Sequence, residues 1–247
     1  MSDRVLVVTG GSRGIGAAVA KLAGGRGYAV AVVYRSSKQQ ATAVVDAIGS
    51  AGGKAMAFEA DVSDAAAVER LFADIDLSLG SPIALVNSAG MTGGAKSFLE
   101  IDAAQMQAVV ATNLLGTFYC TKAAARRMAH SAGGPGGAIV NVSSEAARFG
   151  GNRLSSYAAA KAGVSTFTIA IARELAAEGI RVNAVSPGVI DTDQHADISA
   201  QRRANLLASI PLKRMGTAEE VAQAILWLLS DDASYVTGSI LSVNGGR

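Results

Sequence analysis

Short runs of β-branched and apolar residues alternate with longer helical stretches along the whole chain. The longest helical stretches are predicted at Ala103–Ala129 and Ser155–Ala177. Such alternation is typical of βαβ units, in which helices cover both faces of a parallel sheet. We therefore predict an α/β fold with a doubly wound parallel sheet, formed by a single domain over residues 1–247. The predicted strands are Val5–Thr9, Ala29–Tyr34, Ala55–Ala60, Ile83–Asn87, Ala138–Ser143, Ile180–Ser186 and Ile240–Val243.

The composition agrees with a folded chain that has a large core, since 50% of the residues are hydrophobic and 17% are charged. Glycine occurs 28 times and proline 4 times, and the glycines follow no fixed period, which excludes a collagen-like or low-complexity chain. The net charge is +2 and the sequence has no long block of like charge. Nucleic-acid binding is therefore not expected.

Cys120 is the only cysteine, and histidine occurs only as His130 and His195. The chain cannot form an internal disulfide and has too few soft ligands for a zinc site, so no metal is expected. We interpret Cys120 as a small buried residue rather than a reactive thiol. The apolar runs are far shorter than the roughly 18 residues of a membrane span, and the N-terminus lacks a signal-peptide pattern. These features predict a soluble cytoplasmic protein without membrane contact.

A glycine-rich turn follows the first predicted strand and opens a helix, with glycines at Gly10, Gly14 and Gly16. In an open parallel sheet, ligands bind beyond the carboxyl ends of the strands. Missing Cβ atoms let an anion approach the backbone, and a helix N-terminus offers unpaired N–H groups. The turn is not a P-loop, because no Gly-Lys-Ser/Thr sequence follows. We predict that it binds the phosphates of a ligand.

The second predicted strand ends at Tyr34-Arg35-Ser36. An acidic residue there would bind the ribose hydroxyl of NAD, whereas a basic residue would accommodate the 2′-phosphate of NADP. Arg35 and Arg13 have forked donors that suit a phosphate dianion, and Ser36 adds a hydroxyl. The alternative is that both arginines are solvated surface residues. The pattern favours NADP(H) over NAD(H).

Tyr157 and Lys161 are four residues apart at the start of a predicted helix, and so lie on one face of it. An ammonium group beside a phenol favours the phenolate, so we expect Lys161 to lower the pKa of Tyr157. Tyr157 is thus a candidate general acid/base. Ser143 and Ser144 end the preceding strand at the same edge of the sheet.

These motifs together resemble the classical short-chain dehydrogenase/reductase family, and the similarity covers essentially the whole chain. The family's cofactor turn is matched by Thr9–Gly16, its N-N-A-G element by residues 87–90, and its P-G-x-x-x-T element by Pro187–Thr192. Its adenine-contacting acidic residue is matched by Asp61. Ser88 replaces the usual asparagine, which we expect to loosen a hydrogen bond of that loop. The resemblance implies a Rossmann-like, dinucleotide-binding oxidoreductase.

The resemblance also implies a role for each residue of the site. Asn113, Ser144, Tyr157 and Lys161 match the family's catalytic residues. Tyr157 would exchange a proton with the substrate oxygen, Ser144 would polarise that oxygen, and Lys161 would hold the nicotinamide ribose. Asn113 would hold a water that passes protons to Lys161, while Ile190 and Thr192 would anchor the carboxamide. Ser143 is the alternative candidate for polarising the substrate oxygen, and only the family spacing favours Ser144.

The full set of predicted cofactor-binding residues combines the turn, the end of the second strand and the positions implied by the resemblance. It comprises Gly10, Ser12, Arg13, Gly14, Ile15, Gly16, Tyr34, Arg35, Ser36, Asp61, Val62, Asn87, Ala89, Gly90, Tyr157, Lys161, Pro187, Gly188, Ile190 and Thr192.

The substrate is defined less narrowly, as a small molecule with a carbonyl or secondary alcohol. Glu145, Arg148, Phe149, Leu154 and a lid at about residues 191–205 are expected near it, and His195 in that lid is not predicted to be catalytic. A 3-oxoacyl-[acyl carrier protein] reductase is an alternative, as is an NADP-binding regulatory or scaffold protein without turnover.

The resemblance further implies a homotetramer. The alanine-rich segments Ala123–Ala125 and Ala158–Ala160, and the C-terminal run Ile240–Val243, are candidate subunit contacts. The alternative for these segments is packing within one chain.

Overall fold

The computed structural model describes residues 4–192 and 200–247. Its strands are β1 (Arg4–Thr9), β2 (Tyr28–Tyr34), β3 (Lys54–Glu59), β4 (Pro82–Asn87), β5 (Gly137–Val142), β6 (Ile180–Pro187), β7 (Ile190–Asp191), β8 (Gly216–Thr217) and β9 (Ile240–Val243). Seven of them form a parallel sheet with the order β3-β2-β1-β4-β5-β6-β9. This sheet confirms the predicted α/β fold. Strands β7 and β8 form a separate short pair, which the sequence pattern did not predict.

The helices are α1 (Gly14–Gly24), α2 (Lys38–Ser50), α3 (Ala65–Ser78), α4 (Ala103–Val110), α5 (Gly116–Met128), α6 (Ala146–Phe149), α7 (Ser155–Leu175), α8 (Ala200–Ala208) and α9 (Ala218–Leu229). Within residues 4–192 and 200–247, no helix is long and apolar enough to cross a membrane. The helical stretch predicted at Ala103–Ala129 is divided, because a π-helical turn at Ala111–Leu115 separates α4 from α5.

Both faces of the sheet are covered by helices. Leu6 and Val8 of β1 pack into one hydrophobic cluster with α1, α2 and α9, whereas Val5 and Val7 pack into a second cluster with α3 and α5. The side chains alternate because successive residues of a strand point to opposite faces. Strands buried on both faces read as continuous apolar runs, which is why these segments stand out in the sequence.

Helix α5 contributes buried small residues to the second cluster. Cys120 is buried there, and burial raises the pKa of its thiol to about 12, which agrees with a structural rather than a reactive role. Ala123–Ala125 are also buried in this cluster. They pack within the chain, so the structure favours that alternative over a subunit contact for this segment.

Candidate active site

One long cleft runs along the carboxyl ends of the strands, where the chain order reverses between β1 and β4. Such a switch point is where ligands bind in open parallel sheets. Most of the predicted site residues line this cleft: Gly10, Ser12, Arg13, Gly14, Ile15, Tyr34, Arg35, Ser36, Asp61, Val62, Ala89, Gly90, Asn113, Ser144, Tyr157, Lys161, Pro187, Gly188, Ile190 and Thr192. The fold therefore brings together motifs that are far apart in the sequence.

Gly16 and Asn87, which were also predicted to bind the cofactor, do not line the cleft. A Cβ atom on Gly16 would be 2.2 Å from the Gly10 carbonyl oxygen, so this glycine allows the turn to close on itself. The Asn87 side chain is buried and donates to Thr121 and Asn141. Gly16 thus stabilises the glycine-rich turn, and Asn87 stabilises the end of β4 next to the cleft.

The turn after β1 presents the N-terminus of α1 to the middle of the cleft. Gly10 and Gly14 have φ angles of +64° and +54°, which side chains rarely adopt. The first turn of α1 contains no acidic residue, and within the described residues no side chain caps its N–H groups. These free donors and the positive end of the helix dipole suit an anion, so the turn fits the phosphates of a dinucleotide.

The loop after β4 is tied directly to β1. Thr9 Oγ1 accepts hydrogen bonds from the backbone N–H groups of Ser88 and Ala89, both at 3.1 Å. A Cβ atom on Gly10 would be 2.8 Å from the Cα of Ala89, so the two segments are in close contact. The Thr9 hydroxyl therefore holds this loop in place, although Ser88 replaces the usual asparagine. Thr9 lies within the predicted cofactor turn, but this role was not predicted; the sequence signal for it is a polar residue at the end of an apolar strand.

Arg13, Arg35 and Ser36 line the end of the cleft next to β2. Arg35 Nη1 lies 4.0 Å from Asp61 Oδ2, and their side chains are 59% and 41% exposed. Partial burial raises the pKa of Asp61, but hydrogen bonds from Ser63 and the charge of Arg35 outweigh it and leave the pKa below its usual value. The cleft therefore carries a carboxylate as well as two guanidinium groups at this end.

Ser144, Tyr157 and Lys161 lie together at the opposite end of the cleft. Lys161 is 4% exposed, and its Nζ donates to the Val142 carbonyl oxygen at 2.7 Å. Burial lowers the pKa of Lys161 to about 8. The same Nζ is 5.8 Å from the centre of the Tyr157 ring.

The predicted lowering of the Tyr157 pKa is wrong. Burial raises the pKa of Tyr157 and outweighs the hydrogen bond with Ser144, which lowers it. Lys161 directs its charge to the Val142 carbonyl and is itself destabilised as a cation by burial. Tyr157 is therefore a protonated phenol at neutral pH.

Ser143 and Ser144 have different surroundings. Ser143 is buried, and its Oγ donates to the Lys161 carbonyl at 3.0 Å and lies 2.7 Å from Ser165 Oγ. Ser144 is half-buried, and its Oγ accepts from the Ala146 N–H at 3.1 Å. That contact leaves the hydroxyl proton of Ser144 available to Tyr157 or to a substrate oxygen, whereas the hydroxyl of Ser143 is engaged within the fold.

Asn113 lies in the π-helical turn, fully buried. Its Nδ2 donates to the carbonyl oxygens of Val109 and Met91, both at 2.8 Å, and its Oδ1 accepts from the Met91 N–H at 3.3 Å. The side chain thus clamps the loop after β4. Its predicted role in holding a water stays a prediction.

Other parts of the expected substrate region differ in their exposure. Glu145 is buried, whereas Arg148 and Phe149 are exposed. Residues 193–199 of the predicted lid, including His195, lie outside the described residues. At its near edge, Asp191 Oδ2 is 3.7 Å from Nη2 of Arg203 on α8.

Comparison with known sequences identifies the family of the chain. Residues 10–247 match the sequence family described as Enoyl-(Acyl carrier protein) reductase, which is a group of short-chain dehydrogenases/reductases. The chain belongs to the short-chain dehydrogenase/reductase family. The predicted resemblance is confirmed, and the chain is an oxidoreductase of this family.

Several members of the family are similar to the chain over nearly their full length. An uncharacterized oxidoreductase YgfF of Escherichia coli strain K12 is 46% identical over 98% of this chain and 99% of its own length. The cis-4-hydroxycyclohexanecarboxylate dehydrogenase of Sinomonas cyclohexanicum is 44% identical over 99% and 96%. The 3-oxoacyl-[acyl-carrier-protein] reductase FabG of Staphylococcus aureus strain Mu50 is 39% identical over 97% and 96%.

Proposed function

We propose that the chain is an NADP(H)-dependent oxidoreductase that interconverts a carbonyl and a secondary alcohol, with Tyr157 as the general acid/base. The observation that carries the proposal is the order of chemical groups along the cleft. Ser144, Tyr157 and Lys161 line one end, two guanidinium groups line the other, and an uncapped helix N-terminus lies between them. An extended dinucleotide with a central pyrophosphate matches this order of groups.

The cofactor, when bound, supplies or accepts the hydride. Arg13 and Arg35 would hold the 2′-phosphate, and the N–H groups at the start of α1 would hold the pyrophosphate. Asp61 and Val62 would contact the adenine. Pro187, Gly188, Ile190 and Thr192 would hold the nicotinamide end, where they line the cleft.

Tyr157 donates its proton to the substrate oxygen during reduction and removes it during oxidation. A raised pKa suits the first role, because the phenol stays protonated at neutral pH. Ser144 donates a hydrogen bond to the same oxygen, where negative charge develops. Lys161 has a pKa of about 8 and can gain and lose a proton near neutral pH, so we expect it to supply a proton to Tyr157 after each reduction.

The substrate class stays at a carbonyl or secondary alcohol. Two relatives with similar sequence identity to the chain are named for different substrates, a 3-oxoacyl-[acyl-carrier-protein] and cis-4-hydroxycyclohexanecarboxylate. Reduction of 3-oxoacyl thioesters is therefore an alternative within the same chemistry. The homotetramer and the cytoplasmic location stay predictions, as does the single domain.

A set of ketones, aldehydes and 3-oxoacyl thioesters, assayed with NADPH and NADH in parallel, tests the proposal. We expect turnover of at least one compound, with a clear preference for NADPH. The variant Arg35→Asp should reduce or reverse that preference. It replaces a guanidinium group, which donates hydrogen bonds to a phosphate, by a carboxylate, which repels a phosphate and accepts a hydrogen bond from a ribose hydroxyl.

Arg70→Asp is a matched control, since Arg70 is an exposed arginine of α3 that does not line the cleft. It should leave the preference unchanged. Binding of NADPH without turnover of any compound would favour the regulatory or scaffold alternative, and equal use of NADH and NADPH by the wild type would contradict the NADP(H) assignment.

A further inference from the structure

Glu145 is a buried carboxylate that the proposed reaction does not use. It follows Ser144 directly and is 6% exposed. Its backbone N–H donates to the Pro187 carbonyl at 3.1 Å, and its Oε1 accepts from Ser242 Oγ of β9 at 3.0 Å. These two bonds connect the loop after β5 to the ends of β6 and β9.

The other carboxylate oxygen of Glu145, Oε2, is buried and has no hydrogen-bond partner among the described residues. Within the same part of the chain, Glu145 forms no ion pair with a lysine or arginine. A buried and half-satisfied carboxylate disfavours the folded state. A buried polar atom without a partner is rare in folded proteins, and a functional role is one of its recognised explanations.

Glu145 does not itself line the cleft, but it is bonded to a residue that does. Its N–H is bonded to Pro187, and Pro187 and Gly188 line the end of the cleft that also contains Ser144 and Tyr157. Under the proposed function, on which this inference rests, that end holds the nicotinamide. The nicotinamide ring carries a positive charge when oxidised and is neutral when reduced, so a fixed negative charge nearby attracts only the oxidised form.

We propose that Glu145 supplies a fixed negative charge that favours binding of the oxidised over the reduced cofactor. Its charge therefore sets the ratio between the affinities of the site for NADP⁺ and for NADPH. Ser242 holds the carboxylate in place, and the uncompensated Oε2 leaves its charge undiminished by a partner cation.

The dissociation constants of NADP⁺ and NADPH, measured by isothermal titration calorimetry without substrate, test this proposal. Glu145→Gln removes the charge but keeps the shape and an oxygen that accepts from Ser242. Its ratio of the NADP⁺ constant to the NADPH constant should rise about threefold or more. Ser242→Thr is the matched control, because it keeps a hydroxyl donor for the carboxylate and leaves the charge of Glu145 in place, and its ratio should stay at the wild-type value.

Glu145→Met provides a second variant, which removes the charge without burying a new polar group. It should show the same rise in the ratio, with a melting temperature no lower than that of the wild type. An unchanged ratio in Glu145→Gln, or an equal rise in Ser242→Thr, would overturn the proposal. So would a lower melting temperature in Glu145→Met with an unchanged ratio, since that result assigns Glu145 a structural role.

The outcome also separates this inference from the function beneath it. A wild-type protein that binds neither NADP⁺ nor NADPH would refute the proposed function and this inference together. Binding of both, with a ratio that does not respond to Glu145, would refute the inference alone.

Discussion

Lys161 and Tyr157 illustrate how burial changes the chemistry of a residue pair. Their spacing predicts correctly that both side chains reach the same end of the cleft. The spacing does not reveal that Lys161 is buried and donates to the Val142 carbonyl, or that burial raises the pKa of Tyr157. Burial depends on the elements packed around α7, and these come from other parts of the chain.

The lowered pKa of Lys161 makes stability depend on pH in a specific direction. The pKa falls from 10.5 to about 8 on folding, so between these values the unfolded chain binds more protons than the folded one. The free energy of unfolding therefore rises with pH across this window, by at most about 1.4 kcal/mol per pH unit. Below pH 8 the contribution is fully unfavourable.

Denaturant unfolding of the wild type and Lys161→Met at several pH values from 7 to 10.5 measures this effect. We expect Lys161→Met to be the more stable protein at pH 7, because it removes a buried ammonium group. Its advantage should shrink as the pH rises above 8. A difference between the two proteins that does not vary with pH would contradict the lowered pKa.

At the level of elements, the division between α4 and α5 shapes the site. A π-helical turn shifts the helix at Asn113, whose side chain then clamps Met91 in the loop after β4. The sequence predicts one continuous helix there, because the apolar pattern carries no signal for a single inserted residue. The turn depends on a partner more than twenty positions away, so local patterns cannot reveal it.

The small pair β7–β8 was missed for a related reason. It contains two residues per strand, which is too short for any alternation of apolar and polar side chains to be recognised. The pair nevertheless supports Ile190, which lines the cleft. The longer strands of the main sheet were predictable because their continuous apolar runs reflect burial on both faces.

Gly90 tests the contact between the loop after β4 and the π-helical turn. A Cβ atom there would lie 2.7 Å from Asn113 Oδ1 and 3.6 Å from Lys161 Nζ. Gly90→Ala should therefore displace Asn113, lower the free energy of unfolding by about 1–3 kcal/mol, and reduce kcat. Denaturant unfolding and steady-state kinetics measure both effects.

Gly49→Ala is the control for this substitution. Gly49 lies in α2, and within the described residues a Cβ atom there would meet nothing within 4 Å. Alanine should stabilise that helix by up to about 1 kcal/mol without changing kcat. Wild-type stability and kcat in Gly90→Ala would show that the close contact does not constrain the site.

At the scale of the whole molecule, the cleft follows from the topology of the sheet. The alternation of strands and helices predicts parallel strands, and parallel strands place the residues that follow each of them at one edge. The turn after β1, Arg35 after β2 and Ser144 after β5 meet there for this reason. The sequence pattern could not predict the contacts that modify them, such as Arg35 with Asp61 or Glu145 with Ser242.

The role of Tyr157 is the central claim, and Tyr157→Phe tests it most directly. With the best substrate found among the carbonyl compounds, this variant should bind NADPH almost as tightly as the wild type, because the cofactor contacts remain. Its kcat should fall by more than about tenfold, a rise of at least about 1.4 kcal/mol in the barrier. Tyr235→Phe, at an exposed tyrosine away from the cleft, should keep wild-type kcat. Retention of more than about a tenth of kcat in Tyr157→Phe would contradict the proposed mechanism.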